Sequence, residues 1–102
     1  MRMVCTAAPM RHRLKVLFAT RLGGLPKPMI KIVGNPSCFV LVWMGGDTRA
    51  VIMQHCEQPS KFSCRIFHLV ALEAALEVDL ETLDGSALLM EFLEAVCDRL
   101  AC

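Results

Sequence analysis

The chain contains no tyrosine, a single tryptophan and four serines (Ser37, Ser60, Ser63, Ser86), none of them in a G-x-S-x-G setting. A nucleophile elbow is therefore absent from the sequence. The glycine pairs at 23–24 and 45–46 lack the G-x-x-x-x-G-K-[ST] spacing that cradles phosphate. The longest apolar run, Cys38 to Met44, falls far short of the roughly 20 residues that span a bilayer. The start of the chain shows no apolar stretch followed by a small-residue cleavage site. These absences lead us to expect a cytoplasmic protein without a membrane span, its six cysteines reduced and used as small apolar packing residues.

Acid is missing from the whole first part of the chain. Between Met1 and Gly46 stand Arg2, Arg11, Arg13, Lys15, Arg21, Lys27 and Lys31 with no carboxylate, whereas all ten acids follow from Asp47 onward. Net charge is nevertheless only +1. Such a division suits either self-complementarity or a basic surface for nucleic acid and an acidic one for a basic partner.

What the chain has in abundance is apolar material, 55% of its 102 residues, with only 21% charged. Residues 1–102 form one domain by length, and so small a domain cannot bury that much apolar surface alone. An apolar patch closed by a second subunit or a protein partner is expected.

Periodicity supplies the elements. Met10, Leu14, Leu17, Phe18 and Leu22 share one helical face between Pro9 and Gly23, predicting a helix over residues 10–22; alternation at Leu14, Val16 and Phe18 offers a strand as the competing reading. MIKIVG, CFVLVWMGG and RAVIMQHC read as three strands, with turns at GNPS and GGDT. The middle strand is apolar on both faces, as a strand covered on both sides would be. Ser60 then serves as an N-cap, and Leu69, Leu72, Leu76, Leu80 and Leu83 form a stripe predicting a helix to about residue 83. A last helix follows Gly85, with Leu89, Phe92, Leu93, Val96 and Leu100 inward and Glu91, Glu94 and Asp98 outward. The expected fold is α+β in the order α-β-β-β-α-α, a three-stranded antiparallel meander with helices packed on one face.

The stretch MQHCEQPSKFSCRIFH concentrates possible ligands. Cys56, Cys64 and His68, with His55, are of the types that hold zinc, but the cysteines are too far apart for the usual C-x2-4-C pairing. His55 and Cys56 are adjacent, so on a strand they point to opposite faces. A corner between two elements is the expectation, with no metal or other cofactor. A Cys–His nucleophile pair would need an orienting group and oxyanion donors that nothing nearby supplies.

The order α-β-β-β-α resembles that of the double-stranded RNA-binding domain. That family's second long helix begins with a basic cluster, where this chain has only Lys61 and Arg65, followed by Glu73, Glu77 and Glu81. Nucleic acid, if bound, would be held by Arg11, Arg13, Lys15 and Arg21.

The function expected from these readings is non-catalytic protein binding: an adaptor, a secretion-chaperone-like dimer, or an inhibitor such as an anti-CRISPR-type antagonist from a phage or mobile element. Phe39, Leu41 and Trp43 are the expected sheet-face contacts to a partner or second subunit, and Glu73, Glu77 and Glu81 the expected electrostatic ridge of a helix. A nucleic-acid-binding module and a small zinc-stabilised module are the alternatives.

Overall fold

The computed structural model describes residues 28–34 and 38–100. The segment 10–22 and its four basic candidates lie outside the described residues. Within them the chain forms β1 (Met29–Val33), β2 (Cys38–Gly45), β3 (Thr48–Gln54), β4 (Lys61–His68), β5 (Ala71–Asp79) and one helix, α1 (Gly85–Leu100). The strands make a single antiparallel sheet in the order β1-β2-β3-β4-β5, so every strand pairs with its neighbour in sequence. The fold is α+β, with a five-stranded meander and one C-terminal helix.

The main departure from the expected fold is residues 60–83, which form β4 and β5 instead of a helix. Leucine, alanine and glutamate favour helices, and the leucines from Leu69 to Leu83 fall at helical spacing. Strict alternation in KFSCRIFH outweighs that preference: Phe62, Cys64 and Ile66 are buried while Lys61, Ser63, Arg65 and Phe67 point away. Once β4 has joined β3, its outer edge needs a partner, and ALEAALEVD supplies Ala74, Leu76 and Val78 to the same buried face. Registry thus overrides propensity.

Two hairpin turns are two residues long. Gly45 pairs with Thr48 across Gly46 and Asp47, and Gly46 takes φ 58°, which glycine reaches without a Cβ penalty. His68 pairs with Ala71 across Leu69 and Val70, and here a leucine holds φ 56°. A left-handed conformation costs a residue with a Cβ roughly 1–2 kcal/mol. The Leu69 N–H donates to the Asp47 carbonyl at 2.8 Å, tying the two turns together at one end of the sheet.

One face of the sheet is covered. Phe39, Leu41 and Trp43 of β2, Ala50 and Ile52 of β3, and Phe62, Cys64 and Ile66 of β4 form one core with Leu89, Phe92, Leu93 and Val96 of α1. The helical positions recur every three or four residues, giving the apolar stripe expected of this helix. Phe39 and Phe62 meet with ring centroids 5.9 Å apart in a tilted arrangement. Gln54 is the buried polar residue of this core: its Oε1 accepts from the Phe39 N–H at 3.2 Å and its Nε2 donates to the Pro59 carbonyl at 2.9 Å. Both ends of the amide are satisfied, so its burial carries little penalty.

Gly85 begins α1 pressed against the backbone of the β5 exit. A Cβ there would overlap the Asp79 carbonyl group and crowd the Leu80 Cα. Neither obstacle is a flexible side chain, so the helix would have to move off the sheet. Gly85→Ala is expected to destabilise the protein by about 3 kcal/mol or more; urea unfolding monitored by Trp43 fluorescence measures it.

Candidate functional site

Strand parity decides which side chains are available. Phe39, Leu41 and Trp43 were expected to meet a partner, yet all three point under α1 and are buried, Trp43 at 2% exposure. The candidate surface is therefore the other parity of the same strand. The physical reason is size: the aromatic members of β2 fill the thicker, helix-covered layer.

The opposite face carries three cross-strand rows, read directly from the register. Lys31, Val40, Met53, Ser63 and Glu77 form one; Met29, Val42, Val51, Arg65 and Ala75 the next; Met44, Arg49, Phe67 and Leu72 the third. No described element lies over this face. Met29, Met44, Met53 and Leu72 are exposed, Met44 at 66%, and the valines and Phe67 between them are half-buried by their neighbours alone. Arg49 lies over the Phe67 ring, its guanidinium carbon 4.8 Å from the centroid. At the adjacent β4–β5 turn Val70 is 97% exposed. Together these side chains make this face the most apolar exposed surface among the strands described.

The expected acidic ridge is dispersed. Glu73 is the extra residue of a β-bulge, because Ile66 pairs with Ala74 while Phe67 pairs with Leu72. The bulge lets its Oε1 accept from Arg99 Nε at 3.2 Å, fastening β5 to the last turn of α1. Glu77 lies on the open face of β5, and Glu81 in the loop beyond it, where its backbone N–H donates to Asp79 Oδ1 at 2.9 Å. A helix would have aligned the three; a bulged strand and a turn separate them.

Glu77 takes part in a polar cluster that was not anticipated. Ser63 Oγ–H donates to Glu77 Oε2 at 2.7 Å, and His55 Nε2 lies 3.1 Å from Glu77 Oε1 and 3.2 Å from Ser63 Oγ. Serine, histidine and carboxylate invite comparison with a catalytic triad, but one ring nitrogen faces both partners. A relay needs the serine on one imidazole nitrogen and the carboxylate on the other. Here the carboxylate holds the serine proton directly. The Ser63 hydroxyl, followed by His55, holds the Glu77 carboxyl below the ordinary glutamate range.

The cysteine and histidine candidates are also separated. Cys56 is bonded to Cys38 at a Cα–Cα distance of 5.1 Å, which ties the start of β2 to the loop after β3. Cys64 is a buried thiol whose pKa burial, reinforced by the nearby Glu77 charge, pushes up to about 12. His68 ends β4 and is exposed, four residues further along the same strand than Cys64, about 13 Å at strand rise. Among the described residues no three His, Cys, Asp or Glu side chains converge as metal ligands would. The stretch from Met53 to His68 does turn the expected corner: Lys61 N–H donates to the Gln58 carbonyl at 2.8 Å and His55 N–H to the Lys61 carbonyl at 2.9 Å. Its second arm is a strand. Among the described residues no helix is long and apolar enough to cross a membrane.

No family model, curated protein or solved structure matches the chain.

Two outcomes follow. Glu77 has a folded-state pKa below its unfolded value, so it adds stability above the ordinary glutamate range and loses it as pH falls through the folded-state value. Ser63→Ala is expected to raise the Glu77 titration midpoint towards the ordinary value, read by carboxyl NMR, and to weaken the acid dependence of unfolding. The Cys38–Cys56 bond closes a loop of sequence separation 18; by the chain-entropy relation, Cys56→Ser is expected to cost about 3 kcal/mol in denaturant unfolding.

Proposed function

We propose that the chain is a small non-catalytic protein-binding protein, an adaptor or inhibitor, and that its docking surface is the open face of the sheet. The observation that carries this reading is the contiguous apolar surface of Met29, Val42, Met44, Val51, Met53 and Phe67, held on four rigid strands with no described element over it. Rigid strands present such a patch with little conformational entropy to lose on binding. Lys31, Arg49 and Arg65 on the same face would orient a partner and raise its rate of encounter more than its affinity. The polar cluster at His55, Ser63 and Glu77 bounds this surface at one corner and contributes hydrogen bonding to its rim.

The test uses two exposed positions whose change leaves the core intact. The double variant Met44→Glu, Met53→Glu should unfold at the wild-type temperature within a few degrees. Immobilised wild type and double variant are then compared in capture from cells that make the protein, with copies of the chain itself counted among the captured proteins. Loss of the captured set in the variant supports the reading, and an identical set overturns it.

A further inference from the structure

The docking reading leaves the occupant open, and the distribution of charge narrows it. Resting on that reading, we infer that the open face receives an acidic amphipathic segment of another protein, its apolar side chains on the methionines and valines and its carboxylates on Arg49, Arg65 and Lys31.

The first observation is a segregation of charge. Every Asp and Glu of the chain lies between Asp47 and Asp98, so all ten acids belong to described residues. One of them, Glu77, stands in the three rows of the open face, together with Lys31, Arg49 and Arg65. Glu77 is already engaged by the Ser63 hydroxyl and by His55. Of the groups that hold its carboxyl low, Arg65 contributes least. In the row beyond, Lys61 and Asp79 stand directly opposite each other and cancel. Lys31, Arg49 and Arg65 are exposed and hold no ion pair among the described residues. Glu91, Glu94 and Asp98 lie on α1, behind the sheet, and Glu73 is held by Arg99. The face is thus basic, although acids outnumber bases in the described residues as a whole.

The second observation is spacing. Arg49 and Arg65 are diagonal neighbours on β3 and β4, about 7–8 Å apart. Lys31 lies three strands from Arg65, roughly 16 Å away by strand spacing and rise. Val40, Val42, Val51 and Met53 fill the interval. A helix of about 16 residues is roughly 24 Å long, the width of five strands. Laid across the sheet, such a segment reaches the arginines and Lys31 with carboxylates near its two ends and apolar side chains between them. An amphipathic helix is also what covers the opposite face.

Larger polyanions suit the face less well. Exposed Asp47 and Glu57 stand beyond the two ends of β3, the central strand. They repel a phosphate backbone or an anionic bilayer that extends past the face. Phe67, the one aromatic among the described residues of this face, carries Arg49 over its ring, where a stacked base would lie.

Selection of peptides of about 16 residues from a random library on the immobilised full chain tests this, with affinities then read by fluorescence anisotropy. The selected peptides are expected to be net acidic, with apolar residues between the acids, and to bind more weakly as salt rises. Arg49→Glu with Arg65→Glu should weaken them at least about tenfold, and so should Met44→Glu with Met53→Glu. Glu91→Lys on α1 should leave them within about twofold. Thermal unfolding of each variant is the folding control. A library that yields no binder overturns the inference, as do acidic peptides indifferent to the arginine reversal. Tighter binding of a random-sequence oligonucleotide or of phosphatidylserine vesicles, lost in the same arginine variant, overturns it too. Neutral or basic peptides that need Met44 and Met53 overturn it but leave the docking reading standing with a partner of other chemistry. Peptides indifferent to the methionine variant remove that reading as well.

Discussion

The organisation of the described residues depends on one constraint: α1 covers only one face of the five-stranded sheet. The packing of Leu89, Phe92, Leu93 and Val96 against Phe39, Leu41 and Trp43 chooses that face, and the two-residue period of every strand then assigns each remaining side chain. The apolar composition of β2, with Val40, Val42 and Met44 on its other parity, means that the choice leaves hydrophobic surface in water. No second described element relieves it. Apolar surface left in water in this way is what an interface would ordinarily cover.

Polar groups are arranged to keep that surface defined. Gln54 satisfies backbone groups where the β2–β3 ladder ends, the Cys38–Cys56 bond holds the same end covalently, and Glu73 with Arg99 ties the far edge to α1. None of these groups lies in the middle of the open face. The arrangement ties the platform at its borders and leaves its centre to valines and methionines, of which methionine is the more adaptable.

Much of this was legible in the chain itself. The three strands from Met29 to Gln54, the glycine turn at Gly46 and the inward stripe of α1 follow from alternation, turn chemistry and helical spacing. Residues 60–83 were misread because two periods coexist there: leucines and glutamates at helical spacing, and the alternation of Phe62, Cys64 and Ile66. Local preference cannot decide between them; pairing with β3 does. The burial of Phe39, Leu41 and Trp43 was not legible for a related reason. An all-apolar strand carries no sign of which parity the helix will take, although the clustering of aromatics on one parity was a usable hint. The cluster of His55, Ser63 and Glu77 joins residues far apart in sequence, and only the sheet register brings them together.

The two tight turns differ in what specifies them, and this bears on how each hairpin finds its register. At Gly46 the turn conformation is native to the residue, so the β2–β3 hairpin can set its own register from local sequence. At Leu69 the chain takes a conformation that its own side chain opposes, and the bulge at Glu73, just before Ala74, shifts the register of the same hairpin. The β4–β5 hairpin is therefore closed by its neighbours rather than by its turn. Its register is set by pairing with β3 and by the core that Phe62, Cys64, Ile66 and Val78 enter.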